Sequence, residues 1–175
     1  MFLLLSAIAL TLPFVQTKIA KYVTDDINKE YGVNISIDKV AITFFGGVKL
    51  KTVLILDHHQ DTLIFVNRLN TSLLDFKNIA NSKLRFGDLR FDNLYLNIVN
   101  YKNEKDTNLD LFVEALDDGK PGSGNFLMTS KNVYVKKSRF VMMDYNREVP
   151  KDVDFTKLNA HLENFQIKGP DVTTK

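Results

Sequence analysis

The residue types that could bind a metal or move a proton gather in one stretch, Asp57-His58-His59-Gln60-Asp61. Imidazole and carboxylate are zinc ligands, so this cluster is the one to weigh first. Adjacent side chains on an extended strand point to opposite sides, which would keep His58 and His59 from sharing an ion. The stretch lies between two apolar runs, and the expectation is a solvated hairpin turn with no metal. His161 stands alone inside a strand pattern and reads as an ordinary surface residue. Gly119-Lys120-Pro121-Gly122-Ser123-Gly124 carries the letters of a phosphate loop, but not the four-residue glycine spacing followed by Lys and Ser/Thr that cradles phosphate. Asp25-Asp26 falls on a helix face and Asp117-Asp118 at a helix end, both solvated positions. The chain has no cysteine, and neither G-x-S-x-G nor H-E-x-x-H occurs. No catalytic residue, metal ligand or cofactor is therefore expected, and the chain reads as a non-enzyme.

Charge excludes another class. The net charge is +2 from 23 basic and 21 acidic residues, with no block of five like charges, so the electrostatic case for nucleic acid fails. Thirteen Phe and six Tyr without a Trp supply aromatics suited to strands.

No charge occurs from Met1 to Thr17, and Phe2, Leu3, Leu4, Leu5, Ile8, Leu10 and Leu12 make the run apolar. As a helix, residues 1–17 would measure about 25 Å, just short of a ~30 Å hydrocarbon core. Ala7-Ile8-Ala9 mimics a signal cleavage site, but too few apolar residues precede it and no basic region opens it. The expectation is a transmembrane anchor over 1–17, truncated at its start. Lys18 and Lys21 alone would argue for a cytoplasmic body.

After Pro13, Val15, Ile19, Val23, Ile27 and Tyr31 recur every four residues with Tyr22 beside them, and Lys18, Lys21, Asp25, Asp26 and Lys29 take the other face. Such spacing predicts an amphipathic helix started by Pro13 and stopped at Gly32. The reading adopted is a helix whose apolar face packs on its own domain; the alternative is a helix lying on a membrane surface.

From Val33 the period becomes two. Strand runs are predicted around residues 33–37, 40–44, 48–51, 54–56, 63–66, 84–86, 94–98, 133–136, 139–145 and 158–167, with turns at Gly46-Gly47 and 57–61. Short helices are predicted over 74–80 and, capped by Thr107, over 108–116 through Leu109, Phe112, Val113 and Leu116. Residues 117–125 form the one linker-like stretch. Asn93, Asn132 and Asn164 each open an Asn-apolar-x-apolar run, a weak repeat in which Asn would supply the turn conformation between strand segments. Alternation assigns Ile42, Phe44, Val48, Leu50, Leu94, Leu96, Val133, Val135, Phe165 and Ile167 to one apolar lining. A sheet curling over and capped by the helices would bury that lining, and an open groove filled by lipid or a partner is the functional alternative.

The order of several segments resembles the start of the TamB branch of the AsmA-like proteins, in its Bacteroidota-type form. They are Leu12-Pro13-Phe14-Val15-Gln16-Thr17-Lys18-Ile19-Ala20, Asn34-Ile35-Ser36-Ile37-Asp38-Lys39-Val40, Phe86-Gly87-Asp88-Leu89 and Lys105-Asp106-Thr107-Asn108-Leu109-Asp110. The resemblance implies a mainly β chain in three parts: the anchor at 1–17, an amphipathic helix capping a groove at 18–32, and the first part of a β-groove domain at 33–175. That groove would be a curved antiparallel-type sheet, a β-taco with short helical insertions. It further implies a single-pass inner-membrane protein with a periplasmic body, passing phospholipid toward the outer membrane or supporting outer-membrane protein assembly. A BamA-like, TamA-like barrel would be met through parts of such a protein outside this chain. The rival class is a periplasmic scaffold that binds outer-membrane β-strands by edge pairing.

Overall fold

The computed structural model describes residues 12–43, 46–72, 83–116, 127–149, 151–168 and 171–173. Most of the predicted anchor, Phe44, the predicted helix over 74–80 and the linker at 117–125 lie outside these. Among the described residues no helix is long and apolar enough to cross a membrane.

The chain is mainly β, a curved open sheet with two helices. Helix α1 (Pro13–Tyr31) leads into β1 (Asn34–Ile42), β2 (Gly47–Leu56), β3 (Thr62–Ser72), β4 (Lys83–Phe86) and β5 (Leu89–Asn100). Helix α2 (Asn108–Ala115) follows, then β6 (Leu127–Asp144), β7 (Lys151–Lys168) and β8 (Asp171–Thr173). The sheet order is β1-β2-β3-β5-β6-β7-β8, and β4 pairs with β6 beside the start of β5. The two segments predicted at 133–136 and 139–145 are one strand, β6. The pairing is not antiparallel throughout: β4 and β5 both run parallel to β6. The crossover that permits this carries α2, as a parallel pair requires a connection long enough to return the chain.

Local chemistry sets the element ends. Pro13 opens α1, where its missing N–H costs nothing, and Gly32 closes it at φ 66°, a left-handed conformation that only glycine adopts freely. The β1–β2 hairpin turns through Gly46 at φ 77°, with the Thr43 N–H donating to the Gly47 carbonyl at 2.7 Å. Thr107 caps α2, its hydroxyl accepting from the Asp110 N–H while the Asp110 carboxylate accepts from the Thr107 N–H.

Helix α1 is rotated from the expected orientation. Its buried positions are Gln16 and Thr24, while Phe14, Ile19, Tyr22 and Val23 are 62, 47, 75 and 47% exposed. The stripe against the sheet is Gln16, Ala20, Thr24 and Asn28, spaced by four. The reason lies in β1, whose outer edge carries unpaired N–H and C=O groups that need partners. Gln16 donates to the Ile42 carbonyl at 3.0 Å and accepts from the Ile42 N–H at 2.7 Å. Asn28 does the same for Ile35, at 2.7 and 2.8 Å, and the Thr17 hydroxyl accepts from Val40 N–H at 3.2 Å. A carboxamide presents one donor and one acceptor, as a peptide group does, so the helix stands in for a missing strand.

A row of unusual backbone crosses the sheet. Thr52, Asn93, Lys137 and Lys157 have φ of 51, 52, 51 and 55°, in the left-handed region. Flanking pairs place Thr52 opposite Asn67 and Asn67 opposite Asn93, with Lys137 beside Asn93. Each strand there shifts its alternation by one residue. Apolar positions are consequently spaced two, three, two: Ile35, Ile37, Val40 and Ile42 in β1, and Val48, Leu50, Val53 and Ile55 in β2. The same spacing gives Phe91, Leu94 and Leu96 in β5, and Val153, Phe155, Leu158 and Ala160 in β7. A single left-handed residue acts here as a bulge does, re-aiming the strand and creasing the sheet.

Candidate functional site

Pairing rows show how the apolar face is assembled. Val40, Leu50, Leu69, Phe91, Val135 and Ala160 lie directly opposite one another from β1 to β7. Across the crease, Ile35, Ile55, Ile64, Leu96, Phe140 and Phe155 form a second row. Opposed residues in a sheet share a face. Leu89, Val133 and Val135 form a buried cluster on the first row's side. Leu94, beyond the crease, packs against it with Leu69, Phe91, Leu162 and Phe165, so the face continues across the crease.

Burial on this face is uneven. Val66, Leu89 and Val133 are almost wholly covered, yet Ile42, Met142 and Phe155 remain 43, 41 and 57% exposed. Leu50, Leu94, Leu96, Phe140 and Leu158 are half-buried. The helices make their main contacts with β1 and β5, at the sheet's margin and its end. A large aliphatic left fully in water forfeits about 1.5–3 kcal/mol, so the exposed positions on this face are a standing cost.

Of the predicted lining, Ile42, Val48, Leu50, Leu94, Leu96, Val133, Val135, Phe165 and Ile167 fall on this face by register. The sequence reading missed Ile35, Ile37, Ile55, Ile64, Val66, Leu69, Phe91, Phe140, Met142, Phe155 and Leu158. Their signal was the two-three-two spacing, which a strict period of two discards. Of the three flagged asparagines, Asn93 and Asn164 do adopt positive φ, but within strands and not in turns; the residue that does so in β6 is Lys137 and not Asn132.

The opposite face is polar before the crease; beyond it the same face carries Leu54, Phe65 and the buried Leu63, Val99 and Val141. Lys39, Lys51, Arg68, Asp92 and Lys136 form one row, with Arg68 and Asp92 paired at 3.5 Å. Arg90 lies 4.7 Å over the Tyr134 ring, and His161 stacks on the same ring at 4.4 Å. Arg139 forks onto Asp154 at 2.7 and 2.9 Å, holding that carboxyl below its ordinary range.

At the sheet's end, side chains form a second concentration of chemistry. Asp57 is 4% exposed and accepts from Tyr101 Oη at 2.8 Å, Asn108 Nδ2 at 2.9 Å and the N–H groups of His59 and Asp61. Burial pushes its carboxyl up, but these hydrogen bonds outweigh that and hold it below the usual range. Burial, with bonds to Asp57 and Asp61, drives the Tyr101 phenol far above its ordinary value. Asn108, fully buried, also accepts from Val99 N–H and donates to the Asn97 carbonyl, so α2 fastens to β5 as α1 does to β1.

Around this knot the two histidines converge. His58 Nε2 lies 2.9 Å from Glu104 Oε2 and His59 Nε2 lies 2.7 Å from Glu104 Oε1. The expected divergence fails because the segment is a tight turn, with Gln60 at φ 66°, and not an extended strand. The bonds, that from His59 foremost, hold the Glu104 carboxyl below its ordinary range. Asn146 Nδ2 grips the Glu104 and Tyr101 carbonyls at 3.0 and 2.9 Å, fixing the loop that carries the glutamate.

Hydrogen bonds and packing account for these polar groups. No protein-family model, curated protein or solved structure matches the chain.

Proposed function

We propose that the chain is a non-enzymatic envelope protein of the TamB/AsmA-like kind, whose creased sheet offers an apolar groove to phospholipid acyl chains. In this reading the uncharged N-terminal run anchors the protein in the inner membrane, with the body in the periplasm. Lipid passes toward the outer membrane, or outer-membrane protein assembly is supported, with a TamA-like barrel met through other parts of the protein. The observation that carries the proposal is the partly exposed apolar face running from β1 to β7. Acyl chains suit such a surface, since they bring apolar area and demand no hydrogen bonds. Helix α1 adds support: Leu12, Phe14, Ile19, Tyr22 and Val23 are exposed, at the end of the uncharged run and just beyond it. Such a stripe suits a helix resting at a bilayer surface.

The edge-pairing rival can draw on one edge only: Gln16, Thr17 and Asn28 occupy the β1 edge, whereas β8 covers β7 only at Gln166–Lys168. A photo-crosslinking residue at Leu96, on the apolar face, tests the choice in cells. Covalent capture of phospholipid is expected, with none from the same residue at Lys51 on the polar face. Capture of polypeptide alone at Leu96 would favour the assembly-factor class and end the lipid reading.

A further inference from the structure

We infer that His58, His59 and Glu104 form a binding site for one divalent transition metal of the zinc class. The donor atoms of the three side chains lie within 4.8 Å of one another. Two imidazole nitrogens and a carboxylate are a borderline donor set that suits zinc, and the oxygen-only preference of magnesium and calcium argues against those ions. Neighbouring ligands around a tetrahedral zinc, with bonds of ~2.0–2.1 Å, stand about 3.3 Å apart. The imidazoles bond different carboxylate oxygens, at 2.9 and 2.7 Å, and no two donors are more than 4.8 Å apart. Closing on one ion therefore means widening these gaps by roughly half an ångström and drawing the farther donors inward. All three side chains are partly exposed, at 35, 44 and 28%, and have room to make that shift. In the metal-free chain ring N–H groups fill the space between each imidazole and the carboxylate, and the ion would take their place. Water would complete the coordination from the solvent side.

What distinguishes the trio from a chance surface contact is the frame beneath it. The turn carrying both histidines is tied down by buried Asp57 and Asn108, and the Glu104 loop is clamped by Asn146. Tyr101 wedges between them, its ring 4.0 Å from that of His59. Donors held by backbone and buried polar groups lose little freedom on binding, the usual condition for a competent metal site. The ion would cross-link the β2–β3 turn to the β5–α2 loop, 45 residues on. This inference is independent of the lipid groove, which lies on the apolar face.

The full chain, purified in detergent without a histidine tag, is titrated with Zn²⁺ by calorimetry and with Co²⁺ by visible absorption. One ion per chain is expected, with the intense d–d bands of tetrahedral cobalt. Glu104→Gln, which preserves the size of the side chain, should weaken zinc by at least the roughly 10- to 100-fold that an outer-shell change costs. His58→Ala with His59→Ala should remove binding, and His161→Ala should leave it unchanged. Zinc should raise the Tm of the wild type and not that of Glu104→Gln. No uptake by the wild-type chain, or equal uptake by wild type and Glu104→Gln, would overturn the site. If a variant does not fold, the wild-type cobalt spectrum decides: the spectrum of the hexaaqua ion refutes the site, and tetrahedral bands support it.

Discussion

Replacing Gln16 with alanine tests whether α1 serves the sheet as a surrogate strand. The side chain is 8% exposed and makes two bonds to Ile42, one in each direction. At a net value of about 1 kcal/mol per hydrogen bond, Gln16→Ala removes about 2 kcal/mol from the contact between the start of α1 and β1. Every 1.4 kcal/mol is tenfold, so the opening equilibrium at this end should rise roughly 30-fold. Amide hydrogen exchange reads it residue by residue: the Ile42 N–H should lose about that factor of protection. The Ile35 N–H, held by Asn28 at the helix's far end, should lose much less. Asn28→Ala should give the mirror result. Unchanged exchange at Ile42 in Gln16→Ala would show that apolar contacts hold the helix, and the surrogate-strand account would fail.

Four further outcomes follow from positions described above. Val66→Asp, at a site 2% exposed, should cost several kcal/mol in urea unfolding, while Phe155→Asp, at a site 57% exposed, should cost about 1 kcal/mol and mainly reduce lipid capture. Thr52→Gly should stabilise the chain by about 0.5–1 kcal/mol, because a β-branched residue at positive φ is strained by more than glycine loses in entropy; Asn67→Gly in the same row should destabilise it, as thermal melts will show. Asp154 titrates below 3.8 when folded, so the unfolded chain binds that proton more readily: its contribution is full above pH 3.8 and is lost as pH falls through the lower folded value. Asp154→Asn should therefore flatten the stability profile in that acid window, measured by urea midpoints. A cysteine at exposed Asp106 should react with a membrane-impermeant thiol reagent once the outer membrane is permeabilised, and labelling only after lysis would refute the periplasmic placement.

Local pattern was legible in the sequence and distant pairing was not. Pro13 and Gly32 marked α1, and Thr107 with the apolar positions after it marked α2, because caps act within a few residues. Alternation located the strands. The orientation of α1 was misread because periodicity weighs apolar residues, whereas the edge of β1 selects for carboxamides; Gln16 and Asn28 have no apolar signal to offer. The parallel pairing of β5 with β6 depends on a crossover that local pattern does not encode. Glu104 stands 45 residues from His59, so nothing near the histidines announced it. The crease was visible at Asn93 and hidden where lysine and threonine take the same conformation, while Asn164 marks a second break further along β7.

That crease also bears on how the strands find their partners. In a plainly alternating sheet, a strand displaced by two residues keeps its apolar side chains on the correct face, so such an error is cheap. Here the strands carry phase breaks that coincide along the row from Thr52 to Lys137, and β7 adds a second at Asn164. A strand displaced by two would carry its break out of that row, turning residues between the old and new positions onto the wrong face. The row thus works as a registration mark, making costly the kind of misalignment that alternation alone would forgive.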